Sequence, residues 1–227
     1  MSTLFIIPTP IGNLKDITQR ALHILKKVDY IACEDTRTSG KLLSAYQIDR
    51  QLFSFHQHNE HQKLSYVMDL LSSGQRVAII SDAGMPGISD PGFLAVREAH
   101  KKGIPVTVLP GPDAVTTSLV ASGLPCDRYI FEGFVPRKKG RQTLLHSIKE
   151  EERTVVLYES CHRIIKLVLQ LEEILDSDRM MAVCRELTKK FEEVLRGSVT
   201  NVATQLQEDT TIKGEFVVVI GGKNYRD

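Results

Sequence analysis

The sequence predicts an α/β protein built from two α/β domains. Short apolar runs of strand length alternate with longer amphipathic segments along the chain, the pattern of strands separated by helices. All nine prolines lie at or before Pro136, so the chain changes character near its middle. Its 227 residues, 42% of them hydrophobic, suffice for one large domain or two small ones with real cores.

Residues 3–8 (TLFIIP) form an uninterrupted apolar run and read as a buried strand. Residues 17–28 follow as a helix, with Ile17, Ala21, Leu22, Leu25 and Val28 at helical spacing and Asp16 as the N-cap candidate. Residues 29–33 give a second strand, 40–46 a weak helix and 52–55 a third strand. A polar helix over 56–72 ends near Gly74. Residues 76–81 (RVAIIS) are a strong buried strand, 93–102 a helix closed by Gly103, 105–109 (PVTVL) a strand and 113–121 a helix of small residues. This order implies a mostly parallel sheet covered by helices on both faces. Gly123-Leu124-Pro125 is the expected boundary, giving domains 1–122 and 123–227. Beyond it strands are expected at 129–134, 154–158, 179–185, 190–195 and 215–220, with helices at 140–150, 162–175 and 199–207. The last strand, EFVVVI, reads as buried, and the second sheet should be mixed.

Composition narrows the function. Lys and Arg number 29 against 28 Asp and Glu, so any contact with nucleic acid must come from a local basic patch. Cys33, Cys126, Cys161 and Cys184 are far apart and form no CxxC pair, which argues against a zinc site or a disulfide framework and suits a reducing cytosol. No apolar stretch approaches the roughly 20 residues of a membrane span, and the N-terminus lacks the basic region of a signal peptide. The expectation is a soluble, cytoplasmic protein. His56, His58 and His61 do not match HExxH spacing, and no Cys or carboxylate cluster joins them, so no metal is expected.

Three Pro/Gly-rich loops follow predicted strands: residues 8–13 (PTPIGN), 81–92 (SDAGMPGISDPG) and 109–114 (LPGPDA). Open α/β sheets bind ligands beyond the carboxyl ends of their strands, and binding residues concentrate on such loops. No GxGxxG follows the first strand and no GxxxxGK[ST] occurs anywhere. Prolines at 8 and 10 make the first loop a poor phosphate cradle, because proline has no N–H. S-adenosylmethionine fits such a site, since its adenosine needs backbone amides and an apolar slot.

The segments FIIPTPIGNLKDITQRAL, ACEDTRTSGKLL, IISDAGMPGISDPG, VLPGPDAVTTSL, YIFEGFVPRKKGR, LYESCHR, CRELTKKFEEVLRG and KGEFVVVIGG run in order from residue 4 to about 222. Together they resemble the ribosomal RNA small-subunit methyltransferase I family of the tetrapyrrole-methylase superfamily. The resemblance implies a class III S-adenosylmethionine methyltransferase with the cofactor in the interdomain cleft, in a homodimer. It implies 2′-O-methylation of a cytidine ribose in the decoding region of small-subunit (16S) ribosomal RNA, with the small ribosomal subunit as partner. By motif position it puts cofactor contacts at Ile11, Asp82, Gly84, Ile88, Asp113 and Ala114, and near Glu159 and Leu187 in the second domain.

Transfer to a ribose hydroxyl needs a base, or a cation that stabilises the forming alkoxide. Glu34-Asp35-Thr36-Arg37 supplies both: Asp35, beside Glu34, to take or orient the proton, and Arg37 to hold phosphate or developing charge. The same residues equally suit a helix cap with a solvated partner. For the RNA side the candidates are Asn13, His56, Phe134, Arg137, Lys138, Lys139, Arg141 and Lys189. An aromatic beside a basic run suits a single-stranded contact. Two other classes compete. One is a methyltransferase of the same superfamily acting on a tetrapyrrole or a protein side chain, although porphyrin-modifying relatives carry a GxGPGD-type loop where this chain has TPIGN. The other is a non-catalytic RNA-binding assembly factor.

Overall fold

The computed structural model describes residues 2–208 and 212–227 and divides the chain into two compact units, Met1–Asp113 and Ala114–Asp227. The first unit contains β1 (Thr3–Ile6), α1 (Gln19–Leu25), β2 (Tyr30–Cys33), α2 (Thr36–Ala45), β3 (Gln51–Ser54), α3 (Glu60–Ser72), β4 (Arg76–Ile80), α4 (Phe93–Lys101) and β5 (Val106–Val108). Its five strands are all parallel, in the order β3-β2-β4-β1-β5. Both faces are covered, and the core explains why β4 reads as one apolar run. Val77 and Ile79 enter the cluster with Leu4, Ile6, Val67 and Leu71. Ala78 and Ile80 enter the other, with Ile7, Leu25 and Ile31. A strand's two-residue period feeds alternate side chains to opposite faces.

Helix α3 starts at Glu60 rather than 56, and two further helix starts differ from the sequence expectation. Thr18, not Asp16, caps α1: its Oγ1 accepts from Ala21 N at 3.0 Å, while Asp16 lies in a short 3-10 turn. Helix α2 begins at Thr36 rather than 40, because Asp35 caps it by accepting from Arg37 N at 2.8 Å. Its first turn, Thr-Arg-Thr-Ser-Gly, has low helix propensity, so the apolar period becomes visible only at Leu42 and Leu43.

The second unit contains α5 (Ala114–Ser122), β6 (Tyr129–Phe134), α6 (Arg141–Glu150), β7 (Thr154–Ser160), α7 (Ile164–Ile174), β8 (Met180–Arg185), β9 (Glu193–Ser198), α8 (Val199–Glu208) and β10 (Glu215–Ile220). The sheet order is β6-β7-β10-β8-β9, with β6 parallel to β7 and every other pairing antiparallel. The break falls after Asp113, not at 122/123, because α5 packs on β8, β9 and β10. Ser118 and Ser122 lie buried in that helix, and each hydroxyl is satisfied by a carbonyl of the preceding turn. The strand expected at 190–195 runs from Glu193 to Ser198, paired with β8 at the sheet edge. Arg179 is fully buried. Its guanidinium donates to Gly221 O at 2.5 Å, Glu151 O at 3.0 Å, and Ile148 O and Lys149 O at 3.2 Å, tying the end of α6 to the end of β10. No helix among the described residues is long and apolar enough to cross a membrane.

Candidate active site

Strand order brings four loops of the first unit together. β2, β4, β1 and β5 are consecutive neighbours, so the segments after them, Glu34–Arg37 and the three Pro/Gly loops, stand side by side at the carboxyl edge of the sheet. The first two Pro/Gly loops are stitched to each other. Thr9 N donates to Gly84 O and Gly84 N to Thr9 O, both at 3.0 Å. Thr9 is fully buried, and its hydroxyl donates to Ser81 O at 3.0 Å. The third loop closes on the first: a Cβ at Gly111 would stand 2.8 Å from Pro8 Cβ, so only glycine permits that approach. Gly84 has φ +78°, a left-handed conformation, and a Cβ there would lie 3.4 Å from Ile11 Cγ2. Ser89 holds φ 62° without being glycine, a strain of the kind found where a loop's shape is over-determined.

Carboxylates dominate the chemistry of this edge. Asp35 is engaged in a helix cap and an ion pair. Its carboxylate takes Arg37 Nη2 at 2.7 Å, Arg37 Nε at 3.1 Å and Arg37 N at 2.8 Å, and the guanidinium holds its pKa down to about 2. Helix-capping and proton abstraction would call on the same oxygens. The better acceptors are its neighbours. Burial raises the pKa of Glu34, the Asp82 carboxylate raises it further, and His56 opposes them. Burial also raises Asp82, against the hydrogen bond that it accepts from Asp35 N at 3.2 Å. Asp90 goes furthest: burial first, then Glu34 and Asp82, push its carboxyl up to about 7. Sequence reasoning placed Asp90 on a binding loop without singling it out, because burial beside Glu34 and Asp82 is not visible in the sequence. A carboxyl near neutrality in a cluster of like charges is a functional-site signature.

A cavity of about 220 Å³ opens beside these residues, lined by Pro10, Gly12, Leu14, Ser39, Leu42 and Asp82 among others. The lining combines apolar side chains with a carboxylate, and buried Ile11 and left-handed Gly84 sit on the same loops. These features suit a nucleoside cofactor with an amino-acid tail. Ile88 is exposed on the second loop and Asp113 and Ala114 close the third. Asn13 spends its side-chain oxygen accepting from Lys15 N at 3.1 Å. His56 begins the turn into α3, where its N–H donates to Asn59 Oδ1 at 2.8 Å. Among the described residues no group of three His, Cys, Asp or Glu has metal-binding geometry.

In the second unit the basic run divides. Arg137, Lys138 and Lys139 are exposed, and Phe134 beside them is 56% exposed with its ring 5.4 Å from that of Tyr158. Arg141 is not a surface cation. It is 6% exposed, with Nε donating to Gln170 Oε1 at 2.8 Å and Nη1 to Pro136 O at 3.2 Å. Its place was readable in principle: Arg141, Leu145 and Ile148 fall on one helical face, and all three are buried. Glu159 likewise turns inward. Its carboxylate is fully buried and paired with Arg163 at 2.6 Å and Arg141 at 3.6 Å. Lys189 is committed to Glu186 at 2.8 Å and Glu215 at 3.0 Å. Burial works against its ammonium, but the two carboxylates outweigh it and raise the pKa. Leu187 is buried between Glu186 and Thr188, both of which hold left-handed backbone. A larger polar cavity of about 590 Å³, lined by Arg128, Arg153 and Thr154, lies at the amino ends of β6 and β7, away from Phe134 and the basic loop.

Comparison with known proteins agrees with this arrangement. The family model for tetrapyrrole (corrin/porphyrin) methylases matches residues 3–203. Proteins named ribosomal RNA small subunit methyltransferase I are similar over nearly the whole chain. The Pasteurella multocida protein is 49% identical, covering 97% of this chain and 79% of its own. The Escherichia coli O157:H7 protein is 46% identical over 96% and 77%, and the Thermotoga maritima protein 44% over 98% and 100%. Among solved structures, uroporphyrin-III-C-methyltransferase from Thermus thermophilus has a TM-score of 0.67 at 18% identity, covering 96% of this chain and 94% of that one. Cobalt precorrin-4 methyltransferase reaches 0.68 at 17% with the same coverages. At those identities the structures speak for the fold alone. The chain belongs to the tetrapyrrole methylases, in the branch of the ribosomal RNA small subunit methyltransferase I proteins, and is a methyltransferase that takes its methyl group from S-adenosylmethionine.

Proposed function

We propose that this chain methylates the 2′-oxygen of a cytidine ribose in the decoding region of small-subunit ribosomal RNA, acting in the cytoplasm, as a homodimer, on RNA within the small ribosomal subunit. The observation that carries this reading is the group formed by Glu34, Asp82 and Asp90, with Asp90 near neutral pKa. A ribose hydroxyl is a weak acid, and a base works best when its pKa lies near the working pH. When bound, S-adenosylmethionine supplies an electrophilic methyl on a positively charged sulfur. Ile11, Asp82, Gly84, Ile88 and Asp113 would hold it through the stitched loops, and Ala114, which opens α5, is a further contact. Asp90, ionised in its shared cluster, accepts the proton of the 2′-hydroxyl on a carboxylate oxygen. Glu34 and Asp82 keep that carboxyl basic enough to do so. Arg37, 86% exposed at its side chain and anchored on Asp35, meets a backbone phosphate. Phe134 offers a stacking face, and Arg137, Lys138 and Lys139 meet further phosphates.

The test offers labelled S-adenosylmethionine with small ribosomal subunits, free ribosomal RNA and a porphyrinogen. Label is expected on RNA, most strongly in the subunit. Label on the porphyrinogen alone would contradict the proposal, and no transfer to any acceptor would favour an assembly factor.

A further inference from the structure

One buried carboxylate in the second unit holds both ends of the basic loop. Glu159 Oε1 accepts from Arg163 Nη2 at 2.6 Å and from Ser160 N at 2.8 Å. Its other oxygen lies 3.6 Å from Arg141 Nη1. The two arginines then reach the loop. Arg163 Nη1 donates to Val135 O at 3.1 Å, and Arg141 Nη1 donates to Pro136 O at 3.2 Å. Arg141 is also the residue at which the loop ends and α6 begins. The segment that presents Arg137, Lys138 and Lys139 therefore leaves the sheet and enters the helix on contacts organised by Glu159. The aromatic side belongs to the same frame. Tyr158 precedes Glu159 on β7 and stands in parallel register with Phe134, whose ring it meets.

The coupling is electrostatic on one side. Among the described residues neither Glu159 Oε2 nor Arg141 Nη2 has a hydrogen-bond partner, so charge rather than a hydrogen bond draws Arg141 toward Glu159. Two arginines on one buried carboxylate also leave a surplus positive charge, which the carbonyls of Val135 and Pro136 help to satisfy. Pulling those carbonyls inward fixes where the loop starts. A loop fixed before binding loses less freedom when it takes up a ligand.

We infer that Glu159 is a positioning residue for RNA: without touching the substrate, it sets the loop that carries Arg137, Lys138 and Lys139 by way of Arg141 and Arg163. This rests on the reading of that loop as an RNA contact.

Glu159→Gln is the test, because two accounts predict opposite signs. The variant removes a negative charge, so charge counting predicts tighter RNA binding. The positioning account predicts weaker binding: KM for small subunits should rise about 5- to 10-fold, with kcat and the KM for S-adenosylmethionine nearly unchanged. A steady or lowered RNA KM would overturn the inference. If Glu159→Gln does not fold, Arg141→Lys decides. It keeps the charge but loses the fork that joins Pro136 O and Gln170, and it should raise the RNA KM alone; no rise would overturn the inference. The triple variant Arg137→Ala, Lys138→Ala, Lys139→Ala separates the two levels. If it leaves the RNA KM unchanged, the loop is no RNA contact and the underlying reading fails. If it raises the RNA KM while Glu159→Gln does not, only the positioning role fails.

Discussion

Burial, and then the carboxylates of Glu34 and Asp82, push the Asp90 carboxyl up to about 7. As a base it is active when ionised, so the rate should climb with pH through about 7 and level off above it. Asp90→Asn should lower kcat by about 10²-fold or more, in the range of general-base loss, and abolish that rise; a variant with unchanged kcat would remove Asp90 from the mechanism. The same group affects stability with a definite sign. Its folded pKa lies above the unfolded value of 3.8, so the folded state binds the proton more tightly and the carboxyl costs stability increasingly from about pH 4 up to about 7. Asp90→Asn should therefore melt higher than the parent at pH 8 and lose that advantage toward pH 4. A gain of ~1 kcal/mol moves Tm by about 2–4 °C in a chain of this size. The Asp90 shift was not legible in the sequence, because it comes first from burial and then from Glu34 on another loop and Asp82 at the far end of its own. Asp35 was legible as a helix cap as much as a base, and the structure shows the cap, with a bidentate Arg37 on the same carboxylate.

At the scale of elements, strand alternation and loop position were readable because β1, β4 and β10 are apolar runs bounded by Gly and Pro. The stitching of loops was not, since Thr9 and Gly84 meet only through the neighbouring places of β1 and β4 in the sheet. Gly84→Ala tests that stitch. Its left-handed backbone makes any side chain unwelcome, at a cost of about 1 kcal/mol or somewhat more. Titration calorimetry should find weaker S-adenosylmethionine binding, and unchanged affinity would detach the loop from the cofactor. In the second unit, Arg179→Leu should cost at least ~3 kcal/mol in urea unfolding, since charged hydrogen bonds contribute about 1.5–3 kcal/mol each and the carbonyls of Ile148, Lys149, Glu151 and Gly221 lose their donor. A loss under 1 kcal/mol would mean that those carbonyls find other partners. Helix α5 was misassigned at the boundary because Gly123-Leu124-Pro125 is a stronger local break than Pro112-Asp113, whereas packing on β8, β9 and β10 is what decides membership.

Across the whole molecule, a net charge of +1 gives no general attraction for nucleic acid. Recognition of RNA then depends on where cations cluster, and among the candidates the structure separates two kinds: Arg141 and Lys189 are tied to carboxylates, while Arg137, Lys138 and Lys139 remain exposed. In the proposed reaction the carboxylate cluster deprotonates a ribose hydroxyl. The most direct measurement is the position of the transferred methyl group. Small ribosomal subunits methylated with labelled S-adenosylmethionine would be digested to nucleosides and separated. The account predicts label in 2′-O-methylcytidine, at a single nucleotide of the decoding region, from the parent enzyme and little from Asp90→Asn. Label on a cytosine ring carbon or nitrogen would contradict it, because no hydroxyl would then have needed a base.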